Sequence, residues 1–156
     1  MSKSRNRVIA ALADAGLDVA PIRMDALTKT AQQAADAQGC AVDQIAKSIV
    51  FRDTATGRAV LFITAGGHQV DAVKAAALVG APLDKADADL IRAQTGFAIG
   101  GVAPVGHLSP IRSFFDPRLS DFGVIYAAAG TPHDIFAIAP DDLIRVSGAQ
   151  VADFVA

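Results

Sequence analysis

Between residues 96 and 110 the chain places four of its thirteen glycines, Gly96, Gly100, Gly101 and Gly106, and two of its seven prolines, Pro104 and Pro110. Glycine frees the backbone and proline removes a donor, so no regular helix or strand runs through this stretch and a shaped loop is expected. The loop divides the pattern of the chain. Before it, helical and extended segments alternate; after it, β-like runs dominate until a final helix.

On the N-terminal side, Val8, Ile9 and Leu12 show helical spacing with a stop at Gly16. A short extended stretch covers 19–24. Thr30 and Gln33 form a T-x-x-Q capping box, with Ala31, Ala34 and Ala35 as a slim packing face and Gly39 as the stop. Segments 48–52 and 59–65 read as a hairpin around Asp53-Thr54-Ala55-Thr56-Gly57. A third helix is expected over 69–79, with Val70, Val73 and Ala77 on one face, and a fourth is capped by Asp87 and runs through Ala93. Beyond the loop, 111–115, 123–129 and 134–138 are β-like, and Pro140 opens a last helix carrying Leu143 and Ile144. The elements lack the regular strand, crossover helix, strand rhythm of a doubly wound fold. A mixed, mostly antiparallel sheet or partly closed barrel flanked by helices is expected, in one domain spanning 1–156.

Composition narrows the function. A chain of 156 residues can bury roughly two thirds of its unfolded surface. Hydrophobic residues are 52% but aromatics only 6%, with no Trp, so the core is expected to be compact and aliphatic. No apolar run is long enough to cross a bilayer and no signal-peptide block follows the N-terminus, which predicts a cytoplasmic protein without membrane contact. The single cysteine, Cys40, allows no internal disulfide and reads as a small buried hydrophobe. A net charge of −2 argues against DNA binding or any contact that neutralises many phosphates. Any RNA contact is therefore local. Lys3, Arg5 and Arg7 form the densest basic cluster and are expected to be a solvated helix start.

Familiar catalytic signatures fail on spacing. Lys47-Ser48 is preceded by Ala46, not by the glycine of a phosphate-binding loop, and Gly100-Gly101 lacks the G-x-G-x-x-G spacing of a dinucleotide site. There is no G-x-S-x-G elbow. His68, His107, His133 and Cys40 lack the short spacing of a preformed metal site, so neither metal nor cofactor is expected. His68 reads as a helix-start residue, His107 as packing or capping the glycine loop, and Asp116 and Asp121 as turn residues.

Two features remain. Lys47 sits at the mouth of the hydrophobic run Lys-Ser-Ile-Val-Phe, so its ammonium either snorkels to solvent or meets an anion. The run Gly100-Gly101-Val102-Ala103-Pro104-Val105-Gly106 is either a plain connection or a loop whose amides approach a ligand unobstructed.

In order along the chain stand Thr30-Ala31-Gln32-Gln33-Ala34-Ala35, then Gln44-Ile45-Ala46-Lys47-Ser48-Ile49-Val50-Phe51. Thr95-Gly96-Phe97-Ala98-Ile99-Gly100-Gly101-Val102-Ala103-Pro104-Val105-Gly106-His107 and Ala127-Ala128-Ala129-Gly130-Thr131-Pro132 complete the set. From about residue 26 to the end the chain resembles the YbaK/EbsC family, relatives of the editing domain inserted in bacterial prolyl-tRNA synthetases. The resemblance implies a YbaK-like fold and a trans-acting aminoacyl-tRNA deacylase. Its first candidate substrate is tRNA for proline carrying alanine, cysteine or another small amino acid.

By the same resemblance, Lys47 matches the lysine implicated in hydrolysis, and Gly100-x-x-x-Pro104 matches the loop that holds the aminoacyl group. Amides near Gly100 and Gly101 would then stabilise the tetrahedral oxyanion while Lys47 adds fixed positive charge. Water is the expected attacker, assisted, as the family implies, by the substrate's own ribose hydroxyl. Ile45, Phe97, Ile99 and Val102 are candidate pocket walls or else core residues, and Thr30 is a wall or only a cap. Gly106 closes the loop motif. Gly130, Thr131 and His133 fall in a turn whose family equivalent borders the active site, although an exposed turn histidine is the plainer reading of His133. The expected partner is the acceptor end of aminoacyl-tRNA, with an aminoacyl-tRNA synthetase as a further candidate. Two other classes stay open: a non-catalytic module binding an amino-acid-like ligand, a nucleotide or a synthetase, and a nucleic-acid-binding regulator, which the acidic balance disfavours.

Overall fold

The computed structural model describes residues 2–24 and 30–156, so 26–29, the first residues of the resemblance, lie outside the described residues. Its centre is β3 (Ala59–Ala65), buried along its whole length. That burial explains why the run Ala-Val-Leu-Phe-Ile-Thr-Ala does not alternate in polarity. On one side β3 pairs antiparallel with β2 (Ile45–Asp53), and on the other parallel with β5 (Arg112–Phe115). The predicted hairpin forms, its turn closed by the Gly57 N–H donating to Asp53 O at 2.8 Å. Strand β2 is longer than the sequence suggested, so Lys47 lies inside it and not at its mouth.

The far edge of β2 has two partners in succession. β6 (Ile125–Thr131) runs parallel beside Ile45 and Ala46, and β4 (Leu83–Lys85) runs antiparallel beside Phe51 to Asp53. β7 (Asp134–Ile138) and β1 (Ile22–Arg23) extend the sheet beyond β6, and β8 (Gln150–Val151) extends it beyond β5. The result is the expected mixed α/β architecture, with four antiparallel and three parallel pairings among the described residues and helices packed around the sheet.

Helix α1 (Lys3–Asp14) is capped by Ser2 and buries Val8 and Leu12. Helix α2 (Ala31–Gln38) has the predicted capping box, with the Gln33 N–H donating to Thr30 Oγ1 and Gly39 in the left-handed conformation at its end. Helix α3 (Ala72–Val79) begins later than expected because Asp71 caps it. Val70 instead bridges to Val155, Val73 is 80% exposed, and Ala75 is the residue facing the core. Helix α4 (Ala88–Thr95) is capped by Asp87, and α5 (Pro140–Ser147) starts at Pro140, both as predicted.

Each face of β3 has its own core. Leu61, Ile63 and Ala65 meet α1, the glycine loop and α5 in the larger core. Val60 and Phe62 face a second core that is aromatic, contrary to expectation. Phe62 stacks on Phe114 at 5.3 Å and meets Phe154 edge-on at 5.0 Å. Buried phenylalanines also reach the larger core, where Phe97, Phe115 and Phe136 stand among aliphatic side chains. Cys40 is only half-buried, packed beside Ala34, Ala35 and Ile45, and burial pushes its thiol pKa up.

In the basic cluster on α1, Lys3 is exposed, as expected of a solvated helix start, but Arg5 and Arg7 are engaged by the fold. Arg7 donates to Gly96 O at 2.8 Å and Gly106 O at 3.2 Å, with its guanidinium 4.7 Å from the Phe97 ring centroid. Arg5 pairs with Asp134. Two arginines thus fasten α1 to the glycine loop and to β7.

Candidate functional site

Where β2 passes from β6 to β4, the sheet opens and a cavity of about 470 Å³ fills the gap. Residues Ile45 to Val50 form one wall, and Tyr126, Ala127 and Ala128 of β6 form another. Lys85, Ala86 and Ile91 lie toward α4, Thr30, Ala31 and Ala34 come from α2, and Ile99, Gly100 and Val102 come from the glycine loop. Met24, Thr131, Pro132, Asp134 and Ile135 complete the lining. A mostly apolar hollow with a few convergent polar groups is the general form of a small-ligand site.

Of the residues singled out in the sequence, Thr30, Ile45, Lys47, Ile99, Gly100, Val102 and Thr131 meet in this cavity. Thr30 is both cap and wall. Ile99 is 61% exposed, at the rim.

The others lie elsewhere, each for a visible reason. Phe97 is wholly buried in the larger core under Arg7. Pro104 is buried too, and with Gly106 it lines a separate groove of about 450 Å³ beside His107 and α5. Gly130 carries φ +94°, and a Cβ there would stand 2.7 Å from Ser4 O, so this glycine lets α1 close on β6. His133 is half-buried in the β6–β7 turn, its N–H donating to Thr131 Oγ1 at 3.2 Å and its carbonyl accepting from Met24 at 2.8 Å.

Gly101 corrects the expected oxyanion geometry. Its N–H already donates to Ala98 O at 3.0 Å, and an added Cβ would stand 2.8 Å from Thr131 Cα. Gly101 therefore serves close packing of the loop on β6, which turns the neighbouring Gly100, at φ +90°, to the cavity.

Lys47 is half-buried, and its Nζ donates to Gly66 O at 3.3 Å. Burial pushes its pKa down; the carboxylates of Asp43 and Asp116 pull in the opposite direction without restoring the ordinary value. Burial also acts on Asp43, pushing its carboxyl up, but the bonds from Arg118 Nε at 3.0 Å and Gly67 N–H at 2.8 Å outweigh this and leave it low. Asp116, taken from the sequence as a turn residue, is a buried carboxylate. It accepts from Ala65 N–H and Arg118 N–H and stands 2.7 Å from His68 Nδ1. His68 thus belongs to this pairing and not to a helix start, since α3 begins at Ala72. The sequence marked Asp116 only as a turn residue and Ser48 only as the neighbour of Lys47, and nothing marked Asp43, Tyr126 or Asp134.

His107 packs on Phe97 with Nε2 2.7 Å from Ala103 O, as a loop-bracing residue. Burial lowers its pKa, the Ala103 bond opposes this, and nearby Arg7 adds to the lowering. Among the described residues no group of three or more His, Cys, Asp or Glu side chains is arranged to hold a metal ion. Nor is any described helix long and apolar enough to cross a membrane.

Lys47 on β2 and Gly100 on the glycine loop thus line one mostly apolar cavity. The family model for the aminoacyl-tRNA editing domain matches residues 25–146, and the chain belongs to that family. A solved structure described as a candidate trans-editing enzyme for prolyl tRNA synthetase is 42% identical, with TM-score 0.92, covering 100% of this chain and 99% of that one. A scaffold from work on epitope backbone grafting by computational design is 41% identical, with TM-score 0.93 and the same coverage. An uncharacterized protein of Bacillus subtilis (strain 168), YwhH, is 29% identical over 122 residues, 78% of this chain and 77% of its own length. The chain is an aminoacyl-tRNA hydrolase, a deacylase whose substrate is aminoacyl-tRNA.

Proposed function

We propose that residues 1–156 act as one free-standing editing domain that removes a small wrong amino acid from tRNA in trans, in the cytoplasm. The observation that carries this reading is the convergence of Lys47 and Gly100 on one cavity, within a family that edits aminoacyl-tRNA. The acyl side chain lies among Ala34, Ile45, Ile91 and Ile135, while the ester faces Lys47 and the Gly100 main chain. A tetrahedral oxyanion forms as water attacks, and fixed charge aimed at that oxygen lowers the barrier. The ammonium orients the ester and supplies charge; water is the nucleophile. No acyl-enzyme forms in this reading.

The resemblance to a protein described for prolyl tRNA synthetase supports tRNA for proline carrying alanine or cysteine as the substrate, with the synthetase as a partner. Such enzymes are needed because one methylene changes binding by only about 1 to 3 kcal/mol, so synthetases mischarge near-isosteres. The test is release of amino acid from a panel of labelled aminoacyl-tRNAs, comparing the natural chain with Lys47→Ala. The reading expects small amino acids to be released and the variant to lose at least 100-fold in rate. A variant as fast as its parent would overturn the role of Lys47.

A further inference from the structure

Between its partners β6 and β4, strand β2 turns the main chain of two residues, Ser48 and Val50, to the open edge, and of these Ser48 alone carries a polar side chain. The direction follows from β3. Ile63 O accepts from Asp116 N–H and Ala65 N–H donates to Asp116 Oδ2, so the main-chain groups of Ile63 and Ala65 point toward β5. Those of Thr64 then point toward β2, where Thr64 lies opposite Lys47. Main-chain direction alternates along a strand, so Ser48 turns its N–H and C=O to the opposite edge. There β6 is in register only as far as Ala46, and β4 only from Phe51. Ser48 Oγ adds a second, independent sign. It is the one buried side-chain polar atom among the described residues without a hydrogen-bond partner, and Ser48 lines the cavity. An unmet buried hydroxyl beside an unpaired strand edge is costly unless a ligand completes it.

We propose that Ser48 is the substrate-binding residue that reads the α-amino group of the aminoacyl ester, which donates to Ser48 C=O and Ser48 Oγ. This rests on the deacylase reading and deepens it. An ammonium carries three donors and no acceptor, which suits the carbonyl and hydroxyl oxygens of one residue. The α-amino group is common to every amino acid, so this contact positions the ester and leaves selection by size to the apolar walls.

The aminoacyl-tRNA cleaved fastest is compared with its N-acetyl counterpart and with the α-hydroxy acid ester of the same side chain, for the natural chain and Ser48→Ala. The natural chain is expected to cleave both altered esters at least tenfold more slowly. In Ser48→Ala that discrimination shrinks several-fold while the melting temperature of the ligand-free protein is unchanged or raised, because an unmet hydroxyl has been removed. Equal cleavage of free and altered esters by the natural chain overturns the proposal while leaving the deacylase reading intact. A fall in melting temperature in Ser48→Ala overturns it also, by giving the hydroxyl a structural partner. Failure to cleave any ester removes the deacylase reading and this proposal with it.

Discussion

Arg5, near the start of the chain, forms an ion pair at 3.5 Å with Asp134, whose side chain is almost wholly buried. Asp134 also receives Thr131 Oγ1 and, at 3.3 Å, Arg23 Nη1. This carboxylate joins α1, β1 and the β6–β7 turn at one edge of the cavity. Asp134→Ala leaves those donors unmet and is expected to cost about 2 to 3 kcal/mol. Arg23 is 63% exposed, so Arg23→Ala is expected to cost less than about 1 kcal/mol. Urea unfolding of the two variants checks the contrast.

The packing of Gly101 on Thr131 gives a second prediction. Because the Cβ of Gly101→Ala would meet backbone, the loop has to move away from β6 and carry Gly100 out of position. Deacylation is expected to fall at least tenfold with the fold retained, read as activity beside circular dichroism. A variant of parental activity would show that the loop tolerates the displacement.

In the mechanism proposed for Lys47, loss of its charge sets the alkaline limit of the reaction. Its charged form exists below its pKa and is lost above it, and burial places that pKa below the ordinary lysine value. The rate is therefore expected to fall on the alkaline side earlier than for a lysine of ordinary pKa, roughly 10.4. Asp43 pulls the pKa upward, so Asp43→Asn is expected to move that limb to still lower pH. A rate profile from pH 7 upward, measured on both proteins and corrected for spontaneous ester hydrolysis, gives the comparison.

Residues whose role depends on near neighbours were legible in the sequence. The capping box at Thr30, the cap at Asp87, the Pro140 helix start and the hairpin around Gly57 each depend on a few adjacent positions, and each formed. Lys47 and Gly100 were singled out through the order of motifs, and both line the cavity. Long-range contacts were not legible. The pairing of Arg5 with Asp134 spans 129 residues, and that of Arg7 with Gly106 spans 99, so local pattern made these arginines look solvated. Pro104 and Phe97 stood beside Gly100 in the motif yet turned into the core, because in an irregular loop sequence adjacency does not fix side-chain direction. The gap at Ser48 arises only when β2 changes partner, and no residue of β2 announces that.

The most direct test is to add a non-hydrolysable 3′-aminoacyl-adenosine amide bearing alanine to isotope-labelled protein and follow the backbone amide resonances. Binding is expected to shift the amides of Lys47, Ser48 and Gly100 together, leaving those of the groove at Gly106, His107 and Leu108 unmoved. Shifts confined to that groove, or saturable binding that leaves Lys47 and Gly100 unperturbed, would contradict the account.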